Sequence, residues 1–347
     1  MDTRIKFLDG IRGLAILLVV LFHTFLSPIY QGETYSSFPV FKYGYFGVQL
    51  FFLLSGFVIL MTLEKNKSFF TFIYKRWLRL FPAVLIVSPI ILLTAHFFYE
   101  TRQEIPNIYS LLPQLLFLEP EFLSKIVGFH IIPLQGAFWT LFIEMKFYIF
   151  FGFCYFVFGR NKAILCLCLI FLYALTNALA SLHHSGYLLI LSSSFGWFAS
   201  GCCAYIYYTE KNKNYLYLSL LLGALNLYAS FCLRENSPSF LIVGAAIISL
   251  FYITVVYKNS RVILDNRFFV FFGFISYPLY LIHENIIISS TVKLSILFPL
   301  LPKITLPLIP FFALSVLSYA IAQIEPYLKK NIDKKIRSIK IIRKILS

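Results

Sequence analysis

The chain has 347 residues, of which 59% are hydrophobic, 19% aromatic and only 13% charged, with a formal net charge of +15. A composition this apolar excludes an ordinary soluble domain and a disordered chain, and predicts repeated passage through a bilayer. The positive charge does not point to nucleic acid, and no nucleic-acid partner is expected, because the basic residues gather on one side of the apolar segments.

Ten apolar runs are long enough to span, at roughly 8–28, 44–63, 77–99, 138–158, 163–182, 187–208, 214–232, 238–257, 267–290 and 304–325. The expected fold is therefore all-α: a polytopic transmembrane helical bundle of about ten spans in residues 1–328, followed by a basic cytoplasmic tail, 329–347. The first run carries Arg12 and His23. Eleven residues apart, they sit on nearly one helix face, separated by roughly 16 Å of rise. Ionisable groups at membrane depth are costly, which makes both functional candidates. Arg12 in the apolar core, and the lack of a small-residue cleavage site after Ser27, predict a retained span rather than a signal peptide.

The loops alternate in charge. Arg4 and Lys6, Lys65 to Arg76, Arg160 and Lys162, Lys211 and Lys213, and Lys258 to Arg267 all fall on one side. The long loop at 100–137 on the other side is acidic, with Glu100, Glu104, Glu119 and Glu121. The positive-inside rule then predicts an integral, multi-pass protein with both termini in the cytoplasm. The abundance of Phe, Ile, Tyr and Lys is consistent with a bacterium, for which the expected location is the cytoplasmic (inner) membrane. The tail from 329 has eight basic residues against Asp333, and Leu328, Ile332, Ile336, Ile339, Ile342 and Leu346 at helical spacing. It reads as an amphipathic helix on an anionic leaflet.

Depth places the remaining polar residues. His23, Glu144 and His283 are expected at one level in the outer half, with Glu284 beside His283, while Arg12, Arg76 and Arg79 gather at the inner face. Asp9, three residues before Arg12, is placed to pair with it. The six cysteines fall in or at the ends of spans and show no zinc-type spacing, so neither disulfides nor a metal centre is expected. Pro106, Pro113, Pro120 and Pro133 break the 100–137 loop into short pieces, long enough together to fold over a site or to lie on the surface without touching substrate. His96 and His130 are candidates for acceptor contact; His183 and His184 are assigned nothing.

Six motifs in order then give a resemblance. They are Leu8-Asp9-Gly10-Ile11-Arg12-Gly13-Leu14-Ala15 with Phe22-His23; Gly47 to Ile59 (GVQLFFLLSGFVI); Lys75-Arg76-Trp77-Leu78-Arg79-Leu80-Phe81-Pro82; Phe138-Trp139-Thr140-Leu141-Phe142-Ile143-Glu144; Gly273 to His283 (GFISYPLYLIH); and Ile324-Glu325-Pro326. Together they resemble the acyltransferase-3 family of membrane enzymes, which acylate carbohydrates and other surface acceptors. Gln49, Phe142 and Pro278 depart from the family's usual residues, and Lys146 adds an unusual membrane charge.

The resemblance implies an O-acyltransferase that moves an acyl group, most simply acetyl, from cytoplasmic acyl-CoA to a hydroxyl of a surface polysaccharide, a lipopolysaccharide or its lipid-linked precursor. Acetyl-CoA or another acyl-CoA is then a co-substrate; no cofactor is expected to be tightly bound. The partners are the lipid bilayer, the carbohydrate acceptor and the acyl-CoA donor. Arg76 and Arg79 match the family's paired arginines and would hold donor phosphates, with Arg12 along the donor path, or simply paired to Asp9. His23 would be the general base, or form an acyl-imidazole, with Glu144 orienting it. His283 would either catalyse or hydrogen-bond across helices. Ser55, Gly56 and Tyr277 would shape the channel, with the small residues permitting close helix approach. A transporter of a small anion or lipid-linked sugar is the alternative, since it too needs intramembrane Arg, Glu and His.

Overall fold

The computed structural model describes residues 5–26, 39–100, 104–180, 186–233, 237–302 and 304–339. His183, His184 and the tail beyond 339 lie outside them. Among the described residues the long helices are α1 (Lys6–Leu26), α2 (Phe46–Leu63), α3 (Phe69–Thr94), α6 (Trp139–Phe158), α7 (Arg160–Ala180), α8 (Gly186–Glu210), α9 (Lys213–Leu233), α10 (Pro238–Val256), α11 (Arg267–Leu297) and α12 (Leu308–Ser338). Nine of them are long and apolar enough to cross a membrane, and α8 is a further helix of 25 residues. Two short helices, α4 (Leu111–Leu116) and α5 (Pro120–Val127), interrupt the segment between α3 and α6. The protein is an all-α membrane bundle.

Polar side chains punctuate the helices where hydropathy alone is vague. Ser68 caps α3 by accepting from the Thr71 amide, Ser237 caps α10 ahead of Pro238, and Asn266 caps α11 by accepting from Phe269. Because of its cap, α3 begins at Phe69 rather than near 77: the helix carries Lys75, Arg76 and Arg79 in its first three turns, and these charges mask its onset in a hydropathy reading. Likewise α12 runs through position 329 without a break and ends at Ser338, so the first part of the basic tail continues the last span.

The bundle is organised on α1 and α11, which run parallel. A Cβ on Gly13 would lie 1.9 Å from the Phe269 carbonyl oxygen, one on Gly273 would lie 1.9 Å from that of Asp9, and one on Gly10 would lie 1.9 Å from that of Leu264. Between helices in a bilayer there is no water to expel, so close backbone approach through small residues supplies the packing energy. A second such contact joins α2 to α8, where Gly56 faces the Phe198 carbonyl and Gly201 faces that of Leu53. Gly56 thus permits the close helix approach expected of it, while Ser55 and Tyr277 line a cavity in the bundle. The core is dense in aromatics, among them Phe46, Phe57, Phe147 and Phe198, and Phe147 stacks on Phe198 at 3.9 Å between ring centres.

The 104–138 segment packs against the bundle at two places: Leu134 to Ala137 contact α11 beside Glu284 and Asn285, and an earlier stretch lies along α3 and α6. Leu116 to Phe122 fold back along the bundle and line a cleft with Ile73 and Trp77 of α3 and Met145 and Lys146 of α6. There Glu119 pairs with Lys146 at 2.7 Å, which gives the unexpected membrane lysine its counter-ion. Phe117 takes a left-handed conformation (φ 55) to end α4 and turn the chain into this position.

Gly273→Ala should separate α1 from α11 and remove about 1–3 kcal/mol of stability by overpacking. The thermal midpoint of the detergent-purified protein is expected to fall by several degrees. An unchanged midpoint would mean that the helices do not cross at Gly273.

Candidate functional site

Two groups of polar side chains face the middle of the bundle, one toward each end. At the end where α1 and α11 begin, Arg12 of α1, Ser55 of α2, Arg76 and Arg79 of α3, Glu144 and Tyr148 of α6, and Tyr277 and Tyr280 of α11 line a cavity of about 890 Å³, counting its open mouth. The paired arginines come from the first turns of α3 and are three residues apart, which places them on one helix face. Arg12 Nη1 bonds Asp9 Oδ1 at 2.9 Å and still lines the cavity, so the ion pair and the cavity position coexist. Arg79 Nη1 bonds Glu325 Oε1 at 2.7 Å, and its guanidinium lies 5.5 Å from the Tyr277 ring centre. Arg76 Nε is buried and has no partner among the described residues. Tyr277 donates to the Leu80 carbonyl at 3.0 Å and so ties α11 to α3 below the arginines.

Glu144 belongs to this arginine end. Ser55 Oγ donates to its Oε1 at 2.7 Å and the Tyr148 hydroxyl donates to the same oxygen. The carboxylate supplies negative charge facing Arg12 and Arg76 and fixes two hydroxyls in the cavity wall.

The second group lies farther along the parallel pair. Ten residues beyond Gly13 and Gly273, α1 and α11 bring His23 and His283 together, with ring centres 5.1 Å apart. His283 is fully buried; its Nδ1 is 2.8 Å from the Tyr280 carbonyl. A carbonyl can only accept, so Nδ1 carries the proton there, and Nε2 faces no partner among the described residues. His23 is partly open, with about a quarter of its side chain exposed. Its Nδ1 stands 3.9 Å from Glu284 Oε1, and Glu284 Oε2 accepts from the Ala137 amide at 2.6 Å. Gly136 allows this approach, since a Cβ there would meet Glu284 Oε1 at 2.8 Å. The arrangement can take a proton from a hydroxyl at His23 and hold the resulting positive charge against Glu284.

Tyr280 joins the two ends. Its hydroxyl pairs with Thr140 Oγ1 at 2.7 Å and with the Ala137 carbonyl at 2.9 Å, its side chain lines the arginine-end cavity, and its ring lies 5.6 Å from that of His283.

Of the expected residues, the structure brings His23 to His283, and Arg12 to Arg76 and Arg79. It does not bring Glu144 to His23; Glu284 stands there instead. The register explains the difference. The Ala137 amide is level with Glu284, and Glu144 is seven residues further along, about 10 Å toward the arginine end. Counting depth from an assumed span start cannot resolve two helical turns. Glu284 was visible as an intramembrane acid adjoining His283, yet residue order alone gives it no role. His96 and His130 are exposed and line neither the cavity nor the cleft.

A family model for an acyltransferase domain, Acyl_transf_3, matches residues 5–324. The chain belongs to the acyltransferase-3 family. A protein of Acidianus two-tailed virus that carries an acetyltransferase name (ORF330) is 25% identical over 287 residues, which cover 79% of this chain and 80% of the viral one. The peptidoglycan O-acetyltransferase OatA of Listeria monocytogenes is 33% identical over 98 residues, 26% of this chain but 14% of the relative. No solved structure gives a significant match. As a member of the acyltransferase-3 family, the protein is a membrane acyltransferase, and the two polar groups are the places where its chemistry can reside.

If His23 and Glu284 act as one unit, His23→Ala and Glu284→Ala should each lower the acyl-transfer rate by about 10²–10⁴-fold, and the double variant should be no slower than His23→Ala alone. Additive losses, measured as initial rates in membranes of equal protein content, would separate the two residues.

Proposed function

We propose that the protein takes an acyl group, in the first place acetyl, from acyl-CoA at the arginine end and passes it to a hydroxyl at the histidine end. The acceptor is a surface carbohydrate or its lipid-linked precursor. The supporting observation is the pairing of a cavity lined by Arg12, Arg76 and Arg79 with a His23–Glu284–His283 cluster, with Tyr280 standing between them. Guanidinium groups suit phosphates, and the long arm of a CoA thioester suits a route from one end to the other. The loop charges support the reading in which the arginine end and both termini are cytoplasmic, in the inner membrane of a bacterium.

In this reading the acceptor hydroxyl lies against His23. Its oxygen attacks the thioester carbonyl carbon as the imidazole takes its proton, and Glu284 stabilises the imidazolium. The carbon–sulfur bond then breaks, the thiolate leaves and His23 returns the proton to it, giving free CoA and an O-acyl ester. The alternative route passes through an acyl-imidazole on His23, and Glu284 beside Nδ1 would assist either. His283, whose Nδ1 is engaged by its own helix, supports the ring of His23 or receives the acceptor at Nε2.

Labelled acetyl-CoA supplied to the arginine-rich face of membrane vesicles should place label on glycan at the opposite face. The transfer should be lost in a His23→Ala protein that purifies as a stable species. Glycan-free transport of the label, or no transfer by wild-type protein from cells that make the acceptor, would favour a carrier instead.

A further inference from the structure

The last helix packs antiparallel to the first turns of α3, in a register fixed by two side-chain bonds. Arg79 Nη1 meets Glu325 Oε1 at 2.7 Å, and the Tyr74 hydroxyl donates to Asp333 Oδ1 at 2.7 Å. Five residues back along α3 thus correspond to eight forward along α12. Lys329, midway between Glu325 and Asp333 on the same α12 face, falls level with Arg76 and Trp77. It is half-buried and within electrostatic reach of Arg79, Glu325, Arg76 and Asp333.

Cations outnumber carboxylates here: Arg76, Arg79 and Lys329 are set against Glu325 and, from the cavity wall, Glu144. Glu325 is engaged by Arg79, and Asp333 is engaged by Tyr74 and by Arg337 Nε at 2.8 Å. Lys329 makes no hydrogen bond or close ion pair among the described residues, and Arg76 Nε, buried beside it, has no partner either. Two cationic side chains with unused donors, flanked by Arg79, which is held by the Glu325 carboxylate, form a candidate anion site.

We propose that Lys329 completes a phosphate-binding mouth with Arg76 and Arg79, and that Glu325 is the internal counter-ion a phosphate displaces from Arg79. The ligand class is a nucleotide bearing more than one phosphate group. The proposal rests on the reading of the arginine end as the donor site and assigns α12 a part in it. It gives the basic start of the C-terminal segment a role apart from the membrane surface: one of its lysines turns inward beside α3, while Lys330 stays exposed.

The test is equilibrium binding of adenosine 3′,5′-bisphosphate and of 5′-AMP to the full-length protein in lipid nanodiscs. Wild type is expected to bind the bisphosphate more tightly than 5′-AMP. Lys329→Ala should weaken the bisphosphate about tenfold and 5′-AMP less, as expected for one lost charge-assisted contact. Lys329→Arg should restore binding, and Glu325→Gln should tighten it several-fold by removing the competing carboxylate. Lys330→Ala controls for bulk surface charge and should match wild type. Equal losses in Lys329→Ala and Lys330→Ala, or a Lys329→Ala protein with wild-type affinity, would overturn the role of Lys329 while leaving the donor site in place. Absence of bisphosphate binding by wild type would overturn the donor-site reading and the mouth together. The Arg variant guards against a folding defect, since a protein that binds with arginine and fails with alanine has kept its fold.

Discussion

The backbone-to-backbone crossing of α1 and α11 is the constraint on which the site depends. Gly10, Gly13 and Gly273 leave no room for a Cβ, so the two helices approach until their carbonyl oxygens fill the space that side chains would occupy. In a bilayer this is one of the few ways to gain packing energy between spans, because hydrocarbon outside competes equally well for apolar side chains. The contact also fixes register. The helices are parallel and rise equally per residue, so equal steps from Gly13 and Gly273 lead to His23 and His283. A slip of one residue would rotate each ring by about 100° and part the pair.

Electrostatics divides the interior. Each carboxylate has its own partner, three at the arginine end and one at the histidine end: Asp9 with Arg12, Glu325 with Arg79, Glu144 with the hydroxyls of Ser55 and Tyr148, and Glu284 with His23 and the Ala137 amide. Few charges are buried here without a partner, as the cost of ionisable groups at membrane depth requires. Among the described residues, Arg76 Nε at the arginine end and His283 Nε2 at the histidine end are buried atoms left with unused capacity. One end is suited to hold an anion and the other to exchange a proton. A single acidic residue serving both would have to span about 10 Å, which explains why Glu144 and Glu284 are separate.

Much of the fold was legible in the residues. Apolar runs of membrane length marked the spans, and Arg12 and His23 stood out because ionisable groups in such runs are costly. The clustering of arginines at one end followed from counting helical rise. Register between helices was not legible: it is set by glycines whose significance depends on what lies opposite, and nothing in the order of residues says that Gly13 faces Phe269. The same gap hid the pairing of Glu284 with His23, since the Ala137 amide that holds Glu284 comes from a turn ahead of α6 whose depth is not set by hydropathy. The inward fold of Leu116 to Phe122, with Glu119 reaching Lys146, depends on contacts nearly thirty residues apart and was likewise unreadable as a loop.

The central claim is that α11, and not α6, brings the working partners to His23. It can be tested by disulfide formation in a protein whose native cysteines are replaced. His23→Cys paired with His283→Cys is predicted to cross-link readily under mild oxidant, because the native rings lie 5.1 Å apart. His23→Cys paired with Glu144→Cys is predicted not to cross-link, with the junction peptides read by mass spectrometry. Efficient linkage of positions 23 and 144, with none between 23 and 283, would contradict the account.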